Sequence, residues 1–144
     1  MSTLYGVNKT KIDAMKPSNT LSPGEMGGKV RCMIDTYVGL GTEQAADVIE
    51  MCAALPKGAK ILWGWIELAA VGGTPDLGDY EDTDRYVDEA SDNAVTMFND
   101  TITGLNYEVD MTTASTPDNQ LIVTLDAAVT LAGVITVCVF YTVE

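Results

Sequence analysis

The clearest hydrophobic pattern in the chain runs from Ala46 to Ala70, AADVIEMCAALPKGAKILWGWIELA, two apolar runs on either side of a Pro-Lys-Gly turn. Val, Ile, Leu and Trp suit a pleated, half-buried surface. Pro56 presets a turn dihedral and Gly58 tolerates a positive φ, so the pattern predicts two strands joined as a hairpin. In the second run Ile61, Trp63, Trp65 and Glu67 share one face, and Leu62, Gly64, Ile66 and Leu68 the other. Both faces are largely apolar, which predicts a strand inside a two-layer structure.

The same reading extends along the chain. Lys29 to Val38 alternates, with Val30, Cys32, Ile34 and Thr36 on the apolar face and Lys29, Arg31, Asp35 and Tyr37 opposite, a half-buried strand ended by Gly39 and Gly41. The TEQAAD that follows fits a short helical turn or a loop equally well. A short strand is expected over 76–80, and further strands over AVTMF, LNYEVDM, QLIVTLD and GVITVCVFYTV. The last of these is apolar on both faces and is expected to be interior. Asp82 or Thr83 is placed to cap a short helical turn near 83–90. Residues 1–28 carry Lys9, Lys11, Lys16, Pro17, Pro23 and Gly24 without helical spacing, and read as an extended arm. About eight strands without a long helix predict an all-β fold, a two-sheet antiparallel sandwich of jelly-roll type. The expected organisation is an arm over 1–28 and one β-sandwich domain over 29–144.

Charge sharpens the picture. The formal net charge is −13, which argues against nucleic acid as a partner, because phosphate binding needs clustered Lys and Arg. Residues 1–60 hold seven Lys/Arg against six Asp/Glu, whereas residues 61–144 hold Arg85 alone against fifteen acids. The front segment therefore suits an acidic partner and the remainder suits solvent. An apolar fraction of 47% is that of a globular chain. The opening MSTLYGVNKTK lacks the apolar run of a signal peptide. The longest apolar run, LAGVITVCVFY, is too short and too β-branched for a membrane helix, so a soluble protein of a reducing compartment without a membrane partner is expected. Cys32, Cys52 and Cys138 are odd in number, lack CxxC spacing, and are expected to be buried free thiols.

Candidate chemistry is sparse. Histidine is absent, which removes the commonest general base and metal ligand. No GxSxG elbow, P-loop or dinucleotide fingerprint occurs. The chain is not expected to be an enzyme or to need a cofactor. The acidic stretch DLGDYEDTDRYVDEASD holds eight acids, and Asp82 and Asp84 alternate as in a calcium loop. No register supplies the required glycine, so they are weak metal candidates and a solvated acidic loop is the plainer reading. Trp63 and Trp65, with Ile66, are expected in the core or at an oligomer interface; a sugar-stacking platform is the alternative.

Several phrases in order resemble a family of tailed-bacteriophage virion proteins. LYGVNKTK is similar to the family's opening signature, and GEMGGKVRCMIDTYV to its glycine-glycine and first strand. AADVIEMCAALPKGAKILWGWIELA resembles its strand, Leu-Pro-Lys-Gly-Ala turn and second strand, and LGDYEDTDRYVDEA its acidic Asp-Arg-Tyr loop. The likeness extends to about Ala90 and is carried by the order of the phrases. It implies a capsid decoration, or cement, protein: a non-enzymatic homotrimer on the outer capsid surface of the virion, assembled in the host cytoplasm, that bridges neighbouring major capsid subunits. The turn is common enough in phage structural proteins that a tail or neck component stays open, as does a carbohydrate- or receptor-binding module. In the decoration reading the arm, through Leu4, Tyr5, Val7, Lys9, Lys11 and Lys16, contacts the capsid or a neighbouring subunit. Three net positive charges over residues 1–31 suit an acidic shell.

Overall fold

A computed structural model describes residues 29–98, 107–113, 115–126 and 133–143. They form seven strands: β1 (Val30–Val38), β2 (Val48–Met51), β3 (Ala59–Ala69), β4 (Asp76–Gly78), β5 (Ala94–Met97), β6 (Leu121–Thr124) and β7 (Val134–Val143). Two antiparallel sheets result, one of four strands in the order β1-β7-β3-β5 and one of three in the order β2-β6-β4. Successive strands alternate between the sheets, which is the winding of a jelly roll. The expected all-β sandwich is present, and β3 and β7 are interior to their sheet, each paired on both sides.

The core lies between the inner faces. Ile61, Ile66 and Leu68 of β3 and Ile135, Val137 and Val139 of β7 are fully buried against Met51, Leu77, Leu121 and Val123 of the smaller sheet. Gly64 belongs to this inner face because of the space it leaves: a Cβ there would run into the Cys138 carbonyl and the Phe98 ring.

Several expectations are corrected. The run from Ala46 to Ala70 is not a hairpin. The turn is there, with Gly58 at φ 80° and the Ala59 amide donating to the Pro56 carbonyl at 3.0 Å, but it carries the chain from one sheet to the other. Within β3 the pairing with β7 shifts between Ile61 and Trp63. Leu62 is the extra residue of a β-bulge, so parity changes there, and Ile61 shares the inner face with Ile66 and Leu68.

In β1 the faces are opposite to expectation. Val30, Cys32, Ile34 and Thr36 point outward and are exposed, while Met33, Asp35 and Tyr37 are half-buried on the inner side. The polar tips tolerate that position because they are partnered. Asp35 accepts from the Cys52 amide at 2.8 Å, and the Tyr37 hydroxyl donates to Glu43 at 2.7 Å. Of the three free thiols only Cys138 is buried; Cys52 is half-buried and Cys32 exposed.

No helix forms near 83–90. Backbone donors there turn to β4 instead of to a helical carbonyl, the Tyr86 and Val87 amides both reaching the Leu77 carbonyl at 2.9 and 3.0 Å. LNYEVDM, within its described part, makes only an isolated bridge between Glu108 and Lys60. The arm over 1–28 lies outside the described residues.

Candidate docking face

The two sheets differ in what covers their outer sides. On the smaller sheet, register places Glu50, Ile122 and Gly78 on the outer face, yet Ile122 is fully buried. The acidic segment that follows β4 lies over it. A Cβ on Gly78 would meet the backbone of Asp82 and Thr83, and the Tyr80 hydroxyl donates to Glu50 at 2.6 Å.

That segment is pinned by a buried ion pair. Asp79 is fully buried and accepts from Arg85 Nε at 2.6 Å and from the amides of Glu81 and Asp82 at 2.9 and 3.0 Å. Arg85 also donates to Glu81 at 3.0 Å and lies 3.8 Å over the Tyr107 ring. Tyr107 in turn donates to Asp118 at 2.6 Å, and Asp118 also accepts from the Asp110 and Met111 amides at 2.8 and 2.9 Å. Burial raises the Asp118 carboxyl, but these three donors outweigh it and hold its pKa below the ordinary value. The lone arginine among eight acids thus has a structural task, and its isolation in the sequence was the signal for it.

On the larger sheet nothing among the described residues plays that covering part. Cross-strand register puts Val30, Cys32, Ile34, Thr36 and Val38 of β1 on one outer surface with Val134, Thr136, Cys138 and Phe140 of β7. Lys60, Trp63, Trp65, Glu67 and Ala69 of β3 join them, then Val95 and Met97 of β5. Ile34 is 63% exposed, Val38 62%, Val95 55% and Trp63 42%. Trp63 stacks on Phe140 with ring centroids 4.4 Å apart and planes 1° from parallel. Beside it Cys32 Sγ and Cys138 Sγ stand 3.5 Å apart. Burial, then the hydrogen bond shared with Cys32, pushes the Cys138 thiol up to about 11, so it stays protonated near neutral pH. The surface is therefore largely apolar, a character that suits contact with another molecule.

The structure divides the residues singled out from sequence. Trp63 and Trp65 stand on the outer face, half-covered by their neighbours, whereas Ile66 is fully buried in the core on the opposite side of the same strand. Asp82 and Asp84 sit in the acidic segment, where a hydrogen bond from the Asp82 carboxyl to Asp84 and then burial raise the Asp82 pKa. Among the described residues no cluster of three or more acids or cysteines is arranged to hold a metal ion, and no helix is long and apolar enough to cross a membrane. Leu4, Tyr5, Val7, Lys9, Lys11 and Lys16 lie outside the described residues. Sequence reading missed Ile34, Val38, Val95, Met97 and Phe140 as surface residues. Their alternation was visible, but not which side of it faced out.

No family model matches the chain, and no curated protein matches it. Among solved structures, a chain of the cyanophage Pam1 capsid asymmetric unit shares its fold, with a TM-score of 0.66 and 24% sequence identity. The likeness covers 91% of this chain and 96% of that one.

Proposed function

We propose that this chain is a structural protein of a phage particle, a decoration protein that sits on the capsid surface and ties neighbouring capsid subunits together. The observation that carries this reading is the bare apolar face of the larger sheet, a surface of the kind that marks protein contact sites. The near end-to-end fold likeness to a chain of the cyanophage Pam1 capsid asymmetric unit supports placing that contact in a virion. The body is acidic, with fifteen acids against Arg85 over residues 61–144, which suits an outward surface that repels its own kind. The arm, through Leu4, Tyr5, Val7, Lys9, Lys11 and Lys16, is the part that grips the shell, and its lysines suit an acidic capsid surface. Asp79, Glu81 and Asp118 are bound to Arg85, Tyr107 and backbone amides, which suits a structural, non-enzymatic role.

The test is direct. Purified protein is mixed with heads of the phage that encodes it, stripped of this chain, then sedimented and imaged. Saturable binding at regular capsid positions is expected, and the triple change Lys9→Glu, Lys11→Glu, Lys16→Glu in the full chain should abolish it. Protein that stays in the supernatant overturns the reading, and unchanged binding by the triple variant overturns the role of the arm.

A further inference from the structure

Among the described residues nine large apolar side chains are strongly exposed, and six of them, Val30, Ile34, Val38, Trp63, Val95 and Met97, stand on the outer face of the four-stranded sheet. They are contiguous, because β1, β7, β3 and β5 are neighbours in that order. Four strands of roughly 4.8 Å spacing and about 30 Å length present on the order of 500 Å² of flat area. Two such faces together bury roughly 1,000 Å², above most crystal-packing contacts and near the lower bound of stable interfaces. A patch of that size lies at the upper end of what single chains expose and is often functional, whereas Ile122 on the outer face of the smaller sheet is fully covered.

Charge indicates what covers it. Lys60 and Glu67 are the charged residues of this face among the described residues, and both lie on β3. The net charge of −13 makes most other surfaces of two copies repel, whereas this face is close to neutral. The midpoint of Lys60 and Glu67 falls between Trp63 and Gly64, beside the Trp63–Phe140 stack. That stack is central both along β3 and across the sheet, where aromatic anchors contribute most to an interface.

We propose that a second copy of the chain packs on this face, sheet against sheet, about a two-fold axis near Trp63 and Gly64. Such an axis sets Lys60 of each copy against Glu67 of the other, so the face is its own complement in shape and in charge. Two sheets pack over one another at about 10 Å separation with their strands within about 30° of aligned, whereas three faces around a three-fold axis meet at angles and leave the outer strands apart. The proposal rests on the structural reading above for its purpose, not for its geometry.

The isolated full-length chain supplies the test, with Cys32 as the reporter because it is exposed on this face. Cys52 and Cys138 are poor competitors, their thiols raised to about 12 and about 11, in both chiefly by burial. Mass by sedimentation and the rate of maleimide attack on Cys32 are followed across concentration. A two-chain mass is expected, with labelling slowed roughly tenfold when paired and restored on dilution. Ile34→Lys should give the one-chain mass with an unchanged thermal transition at dilution. Lys60→Glu should weaken pairing roughly tenfold by setting two glutamates together, and Lys60→Glu with Glu67→Lys should restore it. A one-chain mass with fast labelling at every concentration overturns the proposal. Slow labelling of a single chain that Leu4→Asp with Tyr5→Asp makes fast overturns it in favour of the arm as the cover. A three-chain mass insensitive to Lys60→Glu overturns the two-fold packing. None of these readings uses a capsid, so pairing without head binding leaves this inference standing and removes the decoration role, and head binding by single chains does the reverse.

Discussion

Trp63 and Ile66 lie three residues apart on one strand, and truncating each to alanine should give different results. Ile66 is fully buried, and Ile→Ala at such a site costs about 2–5 kcal/mol in lost transfer energy and cavity. Trp63 is 42% exposed in the single chain, so roughly half of the 3–5 kcal/mol of a buried Trp→Ala change is at stake there, including its stack on Phe140. For a domain of this size, about 2–4 °C of melting temperature accompany each kcal/mol. Ile66→Ala should therefore lower the transition by about 4–20 °C and Trp63→Ala by about 3–10 °C, toward the small end when the chain is dilute. The assay is urea and thermal unfolding followed by circular dichroism, since Trp63→Ala removes half of the indole fluorescence. It is run at two protein concentrations. Concentration should matter for the wild type and much less for Trp63→Ala, because mass action stabilises only a chain that associates. A Trp63→Ala loss equal to that of Ile66→Ala at dilution, with unchanged association, would place Trp63 in the core and refute the outward orientation of this face.

Two further outcomes follow from the acidic segment and the turns. Arg85→Ala leaves the fully buried Asp79 without its cation, and breaking such a pair costs about 3–5 kcal/mol. Urea unfolding should show the loss, with partial recovery in Arg85→Ala combined with Asp79→Asn; a loss under about 1 kcal/mol would mean the pair does not hold the segment. Acid should also loosen the fold. Glu43 is held down to about 2 by the Leu40 amide and the Tyr37 hydroxyl, and Asp118 is held below its ordinary value as described. Carboxyls depressed in the folded state stabilise above their unfolded pKa near 4, and that contribution disappears as pH falls through the lower folded values. Unfolding midpoints in urea should drop between about pH 5 and pH 2, and Asp118→Asn should flatten that dependence while lowering stability at neutral pH. An unchanged slope in Asp118→Asn would remove Asp118 from this account.

The fold was legible because strand period and turn chemistry are local. β5, β6 and β7 fall where alternation and β-branched residues put them, and the Pro56–Gly58 turn is real. What was illegible is which partner each strand takes and which side of a strand meets it, because neither is a local property. β2 and β3 flank a genuine turn yet belong to different sheets, which no turn residue encodes. In β1 the more apolar side is expected inward, but Met33, Asp35 and Tyr37 occupy the inner side, their polar tips satisfied by the Cys52 amide beyond β2 and by Glu43 in the loop that follows β1. In β3 one bulged residue, Leu62, moves Ile61 to the same side as Ile66 and leaves Trp63 outside. For β3, apolar on both sides, the sequence predicts a strand inside a two-layer structure, with Trp63 and Trp65 in the core or at an oligomer interface. The same composition arises when one side is buried within the chain and the other is reserved for contact with another molecule. Val30, Ile34 and Val38 on β1, Trp63 on β3 and Val95 and Met97 on β5 stand outward together on one face of one sheet, as the proposed contact requires. Two-sided apolar strands in a chain of net charge −13 thus leave an apolar outer face, and the face proposed for assembly was written in the sequence as an excess of apolar residues over what a single core can hold.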